Sequence, residues 1–209
     1  MLRTIVGPAG CMMLTLGCST APQAVEPVDV HPASAATQAM TLYDANGDSY
    51  LDDNELAAVP GIQTAKSFYD QDGDGKVSED EIVARLQLWN EQGLGFRPLA
   101  IFVLLDGKPL ANAEVKLVPE PYLGAAVKPA AGRTMPDGSV NVTVEQEDLP
   151  AALQTRGKRF YGVTGGTYKI EILSDSQDLP PKFNTETTLG VEVALDTIHA
   201  NHYLNLQSK

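Results

Sequence analysis

DQDGDGKVSEDE, residues 70–81, sets an oxygen-bearing side chain at its first, third, fifth, ninth and twelfth positions and a glycine at its sixth. A hard dication such as calcium gathers six to eight oxygens, and a short loop that turns back on itself can supply them. DANGDSYLDDNE, residues 44–55, repeats the layout 26 positions earlier. A merely solvated acidic loop would have to produce this spacing twice.

The segments around both loops carry apolar residues at helical spacing. Ala36, Ala39, Met40 and Tyr43 precede the first loop, and Leu56 and Val59 follow it. Ile62, Ala65 and Tyr69 precede the second; Ile82, Leu86 and Trp89 follow it. Pro60 and Gly61 read as the break between the middle helices, so the pattern predicts four short helices around two loops.

Loops and flanks together, residues 34–92, resemble a pair of EF-hands. The resemblance implies ligands from Asp70, Asp72, Asp74, the Lys76 carbonyl, Ser78 and Glu81 in the second loop. In the first it implies Asp44, Asn46, Asp48, the Tyr50 carbonyl, Asp52 and Glu55. Dockerin loops are similar, but they lack the entering helices and tend to carry Asp at position twelve. Two calcium sites are therefore expected, and the second should be tighter. Ser49 stands where the second loop has Gly75, and a side chain held in the left-handed region costs about 1 kcal/mol or more. Leu51 and Val77 occupy position eight, where EF-hand pairs join through a short two-stranded pairing.

Calcium sensors open a methionine-rich groove, and Met40 is the only methionine of this segment. A structural staple is the expected role. At ~1 mM calcium and a Kd of ~1 μM, linkage adds about 4 kcal/mol to the folded form.

Charge points the same way. The formal net charge is -12, and between Asp44 and Glu81 eleven acids stand against Lys66 and Lys76. Phosphate backbones are bound through Lys and Arg, so nucleic acid is excluded as an expected partner.

Beyond GLGFRP, residues 93–98, the period changes to two. LAIFVLL, AEVKLVP, SVNVTVE, YKIEILS, LGVEVAL and HYLNLQ read as strands separated by turn signals, and EQEDLPAALQTR holds at most a helical turn. LLDGKPLANAEVKLVP, RTMPDGSVNVTV and GGTYKIEI resemble the successive signatures of carboxypeptidase regulatory-like, or transthyretin-like, sandwich domains. Gly107, Pro109, Leu110, Ala113, Val115, Thr134, Asp137, Gly138, Gly166 and Tyr168 stand at the signature places. The resemblance implies folding support or contact with protein or carbohydrate, and only rarely catalysis. The related 5-hydroxyisourate hydrolases use a Tyr-Arg-Gly-Ser signature, which HYLNLQSK lacks. No nucleophile with a neighbouring base, phosphate loop or zinc cluster is visible, so no enzyme is expected, and a hydrolase is the remote alternative. His199 and His202 would face opposite sides of a strand and read as solvated or turn histidines, not a metal pair. Tyr122, Phe160, Tyr161 and Phe183 are the candidate aromatics for a recognition surface.

The opening segment has Arg3, a short apolar stretch and LTLGCS, which resembles a bacterial lipoprotein signal with Cys18 as the lipidated residue. Cys11 is the only other cysteine, and Cys18 has no partner downstream. Acyl chains there would anchor the protein to a membrane surface. Pro22, Pro27 and Pro32 mark an extended tether after it.

The expected whole is an α+β multidomain lipoprotein of the cell envelope. A signal spans 1–17, the lipidated Cys18 and a tether 18–33, an all-α EF-hand pair 34–93, and an all-β Greek-key sandwich of about seven strands 98–209. Its partners would be the membrane, through the anchor, and an envelope protein or glycan.

Overall fold

The computed structural model describes residues 27–154, 160–197 and 202–208. The signal segment, Cys11, Cys18, the first part of the tether and His199 lie outside the described residues. The chain has an α+β architecture, with helices first and open sheets after them.

The expected tether ends sooner than its prolines suggest. Val28 donates its N–H to the Leu94 carbonyl at 2.7 Å, Val30 is buried, and Asn90 Nδ2 donates to the Val30 carbonyl at 3.1 Å. Two valines beside the prolines give this stretch something to bury. Pro32 then opens helix α1, Pro32–Tyr43, at a position that needs no N–H donor.

Alanines 35, 36 and 39 line the buried side of α1, and their small size lets it lie close against α5, Glu79–Glu91. Between them come α2, Asp53–Leu56, α3, Pro60–Thr64, and α4, Lys66–Tyr69. There are thus five helical pieces where four were expected. The second entering helix is broken at Ala65, whose φ of -102° and ψ of 14° leave the α region. Leu56, Val59, Ile62, Ala65, Tyr69, Ile82, Leu86 and Trp89 are all buried, as their periodicity requires. Helix α5 stops at Gly93, which takes φ 62°. Gly93 N–H bonds to Asn90 O and Leu94 N–H to Trp89 O, the double bond of a Schellman stop.

Strands β1, Tyr50–Leu51, and β2, Val77–Ser78, pair antiparallel with Leu51 opposite Val77. The expected boundary at 93–98 is itself structured. Strand β3, Phe96–Arg97, pairs with β10, Val163–Thr164, and a Cβ on Gly165 would run into the Leu94 side chain.

Each of the six strands read from the sequence is present, although SVNVTVE is interrupted at Val142 into β8, Ser139–Asn141, and β9, Thr143–Val144. The first sheet orders β12, Gly190–Val193, then β11, Gly166–Leu173, β6, Glu114–Pro119, β7, Ala130–Arg133, and β9. In the second, β4, Ala100–Leu105, pairs in parallel with β13, His202–Leu206, and antiparallel with β8 and with β5, Lys108–Pro109. These two sheets hold nine strands rather than about seven. Ala130–Arg133 was missed because alanine and glycine have little strand propensity. Gly132 is needed there, since a Cβ would lie 2.6 Å from Val140 Cγ2.

The signature residues of the second half build its corners. Asp106, φ 50°, and Gly107, φ 77°, form a two-residue turn between β4 and β5. Thr134 Oγ1 donates to the Leu110 carbonyl at 2.6 Å and accepts the Ala113 N–H at 2.8 Å. Gly138, φ 79°, has no room for a Cβ, which would sit 2.6 Å from the Val103 carbonyl oxygen. Tyr168 donates its hydroxyl to the Thr164 carbonyl at 2.7 Å, tying β11 back to the end of β10. His202 is half-buried in β13 rather than solvated, and burial pushes its imidazole below the ordinary range.

Helices and sheets share one apolar core. Gly61 was read as a helix breaker, yet it lies inside α3 at the point of closest approach to β11. A Cβ on it would be 2.8 Å from Thr167 Cβ, and one on Gly190 would collide with the Pro60 carbonyl. Glu120, fully buried after β6, accepts the Tyr43 hydroxyl at 3.0 Å and the Gly61 N–H at 3.4 Å, with Lys169 Nζ at 4.0 Å.

Arg85 of α5 ties the two parts most strongly. Its Nε and Nη2 donate to the two oxygens of Glu192 at 2.9 and 2.6 Å, and its Nη1 and Nη2 to Asp196 at 2.7 Å each. The guanidinium also lies 5.0 Å from the Phe68 ring centroid. The side chains of Arg85 and Glu192 are 2% and 0% exposed, so removing the cation would strand a buried carboxylate. We expect Arg85→Ala to lower unfolding free energy by about 3–5 kcal/mol in urea titrations. A loss under about 1 kcal/mol would show that the pair is not a tie.

Burial raises the Glu120 carboxyl above the ordinary range, with Lys169 only partly opposing it. The folded chain then holds this proton more tightly than the unfolded chain. The Glu120 contribution to stability is greatest below the ordinary glutamate value of about 4.3 and falls as pH rises towards the raised value. Urea midpoints across pH 4–8 should therefore fall more steeply with rising pH in the native protein than in Glu120→Gln. Parallel profiles would remove Glu120 as the cause.

Candidate metal centre

At positions one, three and five the two loops make the same hydrogen bonds. At position one, Asp44 accepts the N–H of Gly47 at 2.7 Å and of Ser49 at 3.0 Å, while Asp70 accepts those of Gly73 at 2.8 Å and Gly75 at 3.0 Å. At position three, Asn46 Oδ1 takes the Asp48 N–H and Asp72 Oδ1 that of Asp74. At position five, Asp48 Oδ1 takes the Tyr50 N–H and Asp74 Oδ1 that of Lys76. Each acidic side chain thus folds its own loop before any cation is considered.

Positions nine and twelve do further work. Asp52 is the N-cap of α2 and Ser78 the N-cap of α5, and each forms a reciprocal capping box with Glu55 or Glu81. Glu55 Oε1 accepts the N–H groups of Ala45 and Asn46, and its Oε2 that of Asp52. Glu81 Oε1 accepts the Gln71 N–H and its Oε2 the Ser78 N–H and hydroxyl. The carboxylate that closes the loop also starts the exiting helix.

Acidic oxygens converge in both loops. One oxygen each from Asp44, Asp48 and Glu55 lie within 4.8 Å of one another, and so do those of Asp70, Asp72 and Asp74. Calcium–oxygen bonds of 2.3–2.6 Å put opposite ligands about 4.6–5.2 Å apart, and oxygens this close together are able to share one cation. Asp52 and Glu81 are outside these close groups. Asn46 and Ser78 bring neutral oxygens at positions three and nine, and Tyr50 and Lys76 stand at position seven with their carbonyls.

Sequence reading missed position four, where Gly47 and Gly73 take φ of 75° and 77°. Nothing lies within 4 Å of a Cβ at either, so glycine serves the backbone conformation and not the space. The signal was an Asp followed three residues later by Gly in both loops. Ser49 takes φ 68° where Gly75 takes 84°, which is the strain expected at position six of the first loop.

Of the four candidate aromatics, Tyr122 and Phe183 are buried, and Tyr122 shares a 2.7 Å hydrogen bond with Thr167. Phe160 is half-buried and Tyr161 exposed, both lining a cleft of about 440 Å³ with Arg133, Asn141 and Glu145. No protein-family model matches the chain, and no match is found among curated proteins or solved structures.

Proposed function

We propose that this protein is a calcium-binding envelope lipoprotein in which an EF-hand pair sits on a transthyretin-like sandwich and calcium stabilises the joined unit. The repeated loop plan carries the reading, with acidic oxygens converging in both loops and Leu51 directly opposite Val77. The role is structural. Helix α1 packs on the turn Pro121–Ala126, α3 on β11 and β12, and α5 is held by Glu192. Opening of the kind sensors undergo would expose those contacts and strand Arg85. Anchorage through Cys18 would hold the protein at a membrane surface, and an envelope protein or glycan would be its partner.

Calcium titration calorimetry and melting of the full chain test this. Two bound ions, a melting temperature raised several degrees by calcium, and loss of one site each in Glu55→Gln and Glu81→Gln are expected. A melting transition that chelator leaves unchanged would defeat the reading.

Recognition of a glycan through the sheets is a second reading, favoured by the Phe160–Tyr161 cleft. It requires a glycan-array signal that Tyr161→Ala removes, and a blank array dismisses it.

A further inference from the structure

The two loops are alike in backbone and unlike in charge. Lys76, at position seven of the second loop, sends its ammonium across the β1–β2 ladder to 2.9 Å from Asp48 Oδ2, at position five of the first. On the way it passes 5.1 Å from the Tyr50 ring centroid. The other Asp48 oxygen is the one that takes the Tyr50 N–H, so both are engaged.

The exchange is one-sided. Position seven of the first loop is Tyr50, which has no charge to return to the second. Asp74, the counterpart of Asp48, takes only the Lys76 backbone N–H at 2.8 Å, and among the described residues no cationic side chain forms a salt bridge with it. This side chain adds a charge inequivalence to the differences at positions three, six and nine.

We infer that Lys76 is a built-in counter-cation that ranks the two loops, lowering the calcium affinity of the first so that it fills after the second. The inference rests on the calcium reading proposed above. A dication entering the first loop must displace an ammonium already seated on one of its ligand oxygens, or sit beside it. Without a dication, the same ammonium relieves the mutual repulsion of Asp44, Asp48 and Glu55. Lys76 thus acts with opposite sign in the two states. The strain at Ser49 is present in both, so it cannot imitate this signature. In the second loop Lys76 stands at position seven with its carbonyl, while its ammonium is hydrogen-bonded to Asp48 of the neighbour and acts on Asp74 only through space.

The test is Lys76→Met in the full chain, with Lys76→Arg as the charge-retaining control. Two-site calorimetry is assigned to loops in Glu55→Gln and Glu81→Gln backgrounds, and melting is followed in chelator and in ~2 mM calcium. In Lys76→Met the first-loop Kd should fall about three- to tenfold, with the second loop within about twofold. Its Tm should drop in chelator and rise in calcium, and Lys76→Arg should follow the native protein. The inference is overturned if Lys76→Met leaves the first loop unchanged, shifts both loops equally, moves both Tm values the same way, or behaves like Lys76→Arg. If the native protein gives no calcium heat and chelator does not move its Tm, the calcium reading itself falls and takes the ranking with it. That result is distinct from two calcium ions bound to unranked loops.

Discussion

A guanidinium cannot shed its proton to escape burial, so wherever Arg85 is enclosed, acceptors must be enclosed with it. Glu192 and Asp196 supply four oxygens to three of its nitrogens. Burial raises the Glu192 carboxyl, the Asp196 charge adds to the rise, and the adjoining cation works against it; Asp196, less enclosed, is held below its ordinary range mainly by its bond to Arg85. The arrangement gives little net stability over an apolar contact of equal size, but it is exacting about position. It fixes α5 against β12, and α5 is the helix that leaves the second acidic loop. The backbone-to-backbone contact at Gly61 and Gly190 fixes α3, which leads into that loop, to the same sheet region. Both supports of the loop are therefore set by residues far away in sequence.

This dependence explains which features could be read in advance. Loop spacing, the helical faces and six strands are local patterns, and each is found where period and composition put it. The junction is not local. Arg85 falls three residues after Ile82 and four before Trp89, on the apolar face, and that position was the only hint that it is enclosed. Glu192 sits in a four-residue strand with every residue buried, where a lone glutamate among valines reads as an outward position until its partner is known. Gly61 has the opposite history. Next to a proline it resembles a break, because the strand that needs its missing side chain lies more than a hundred residues further on. Residues 27–31 read as tether for a similar reason, since Leu94 and Asn90 are their partners.

Within the loops, chemistry and architecture use the same atoms. Positions nine and twelve cap the exiting helices, and positions one, three and five fold the turn. A cation there would bind oxygens that already hold backbone N–H groups. The loops are preorganised in that sense, and less of the ordering cost falls on the binding step. The same overlap makes each ligand substitution a change in helix initiation as well as in charge, so binding and stability effects at Glu55 or Glu81 belong together.

The parallel pairing of β13 with β4 sets a schedule. Its partners, from Ile101 with His202 to Leu105 with Leu206, are about a hundred residues apart, and Arg85 reaches Glu192 across 107. The bonds by which Glu55 and Glu81 close their own loops span ten residues or fewer. Short closures cost little entropy and form early; long ones wait for most of the chain to be ordered. The acidic loops can therefore take shape on a nascent chain while Gly61 and Ile62 still face water, and the helical half acquires its permanent seat only when the last strands arrive. The first half is finished by the second.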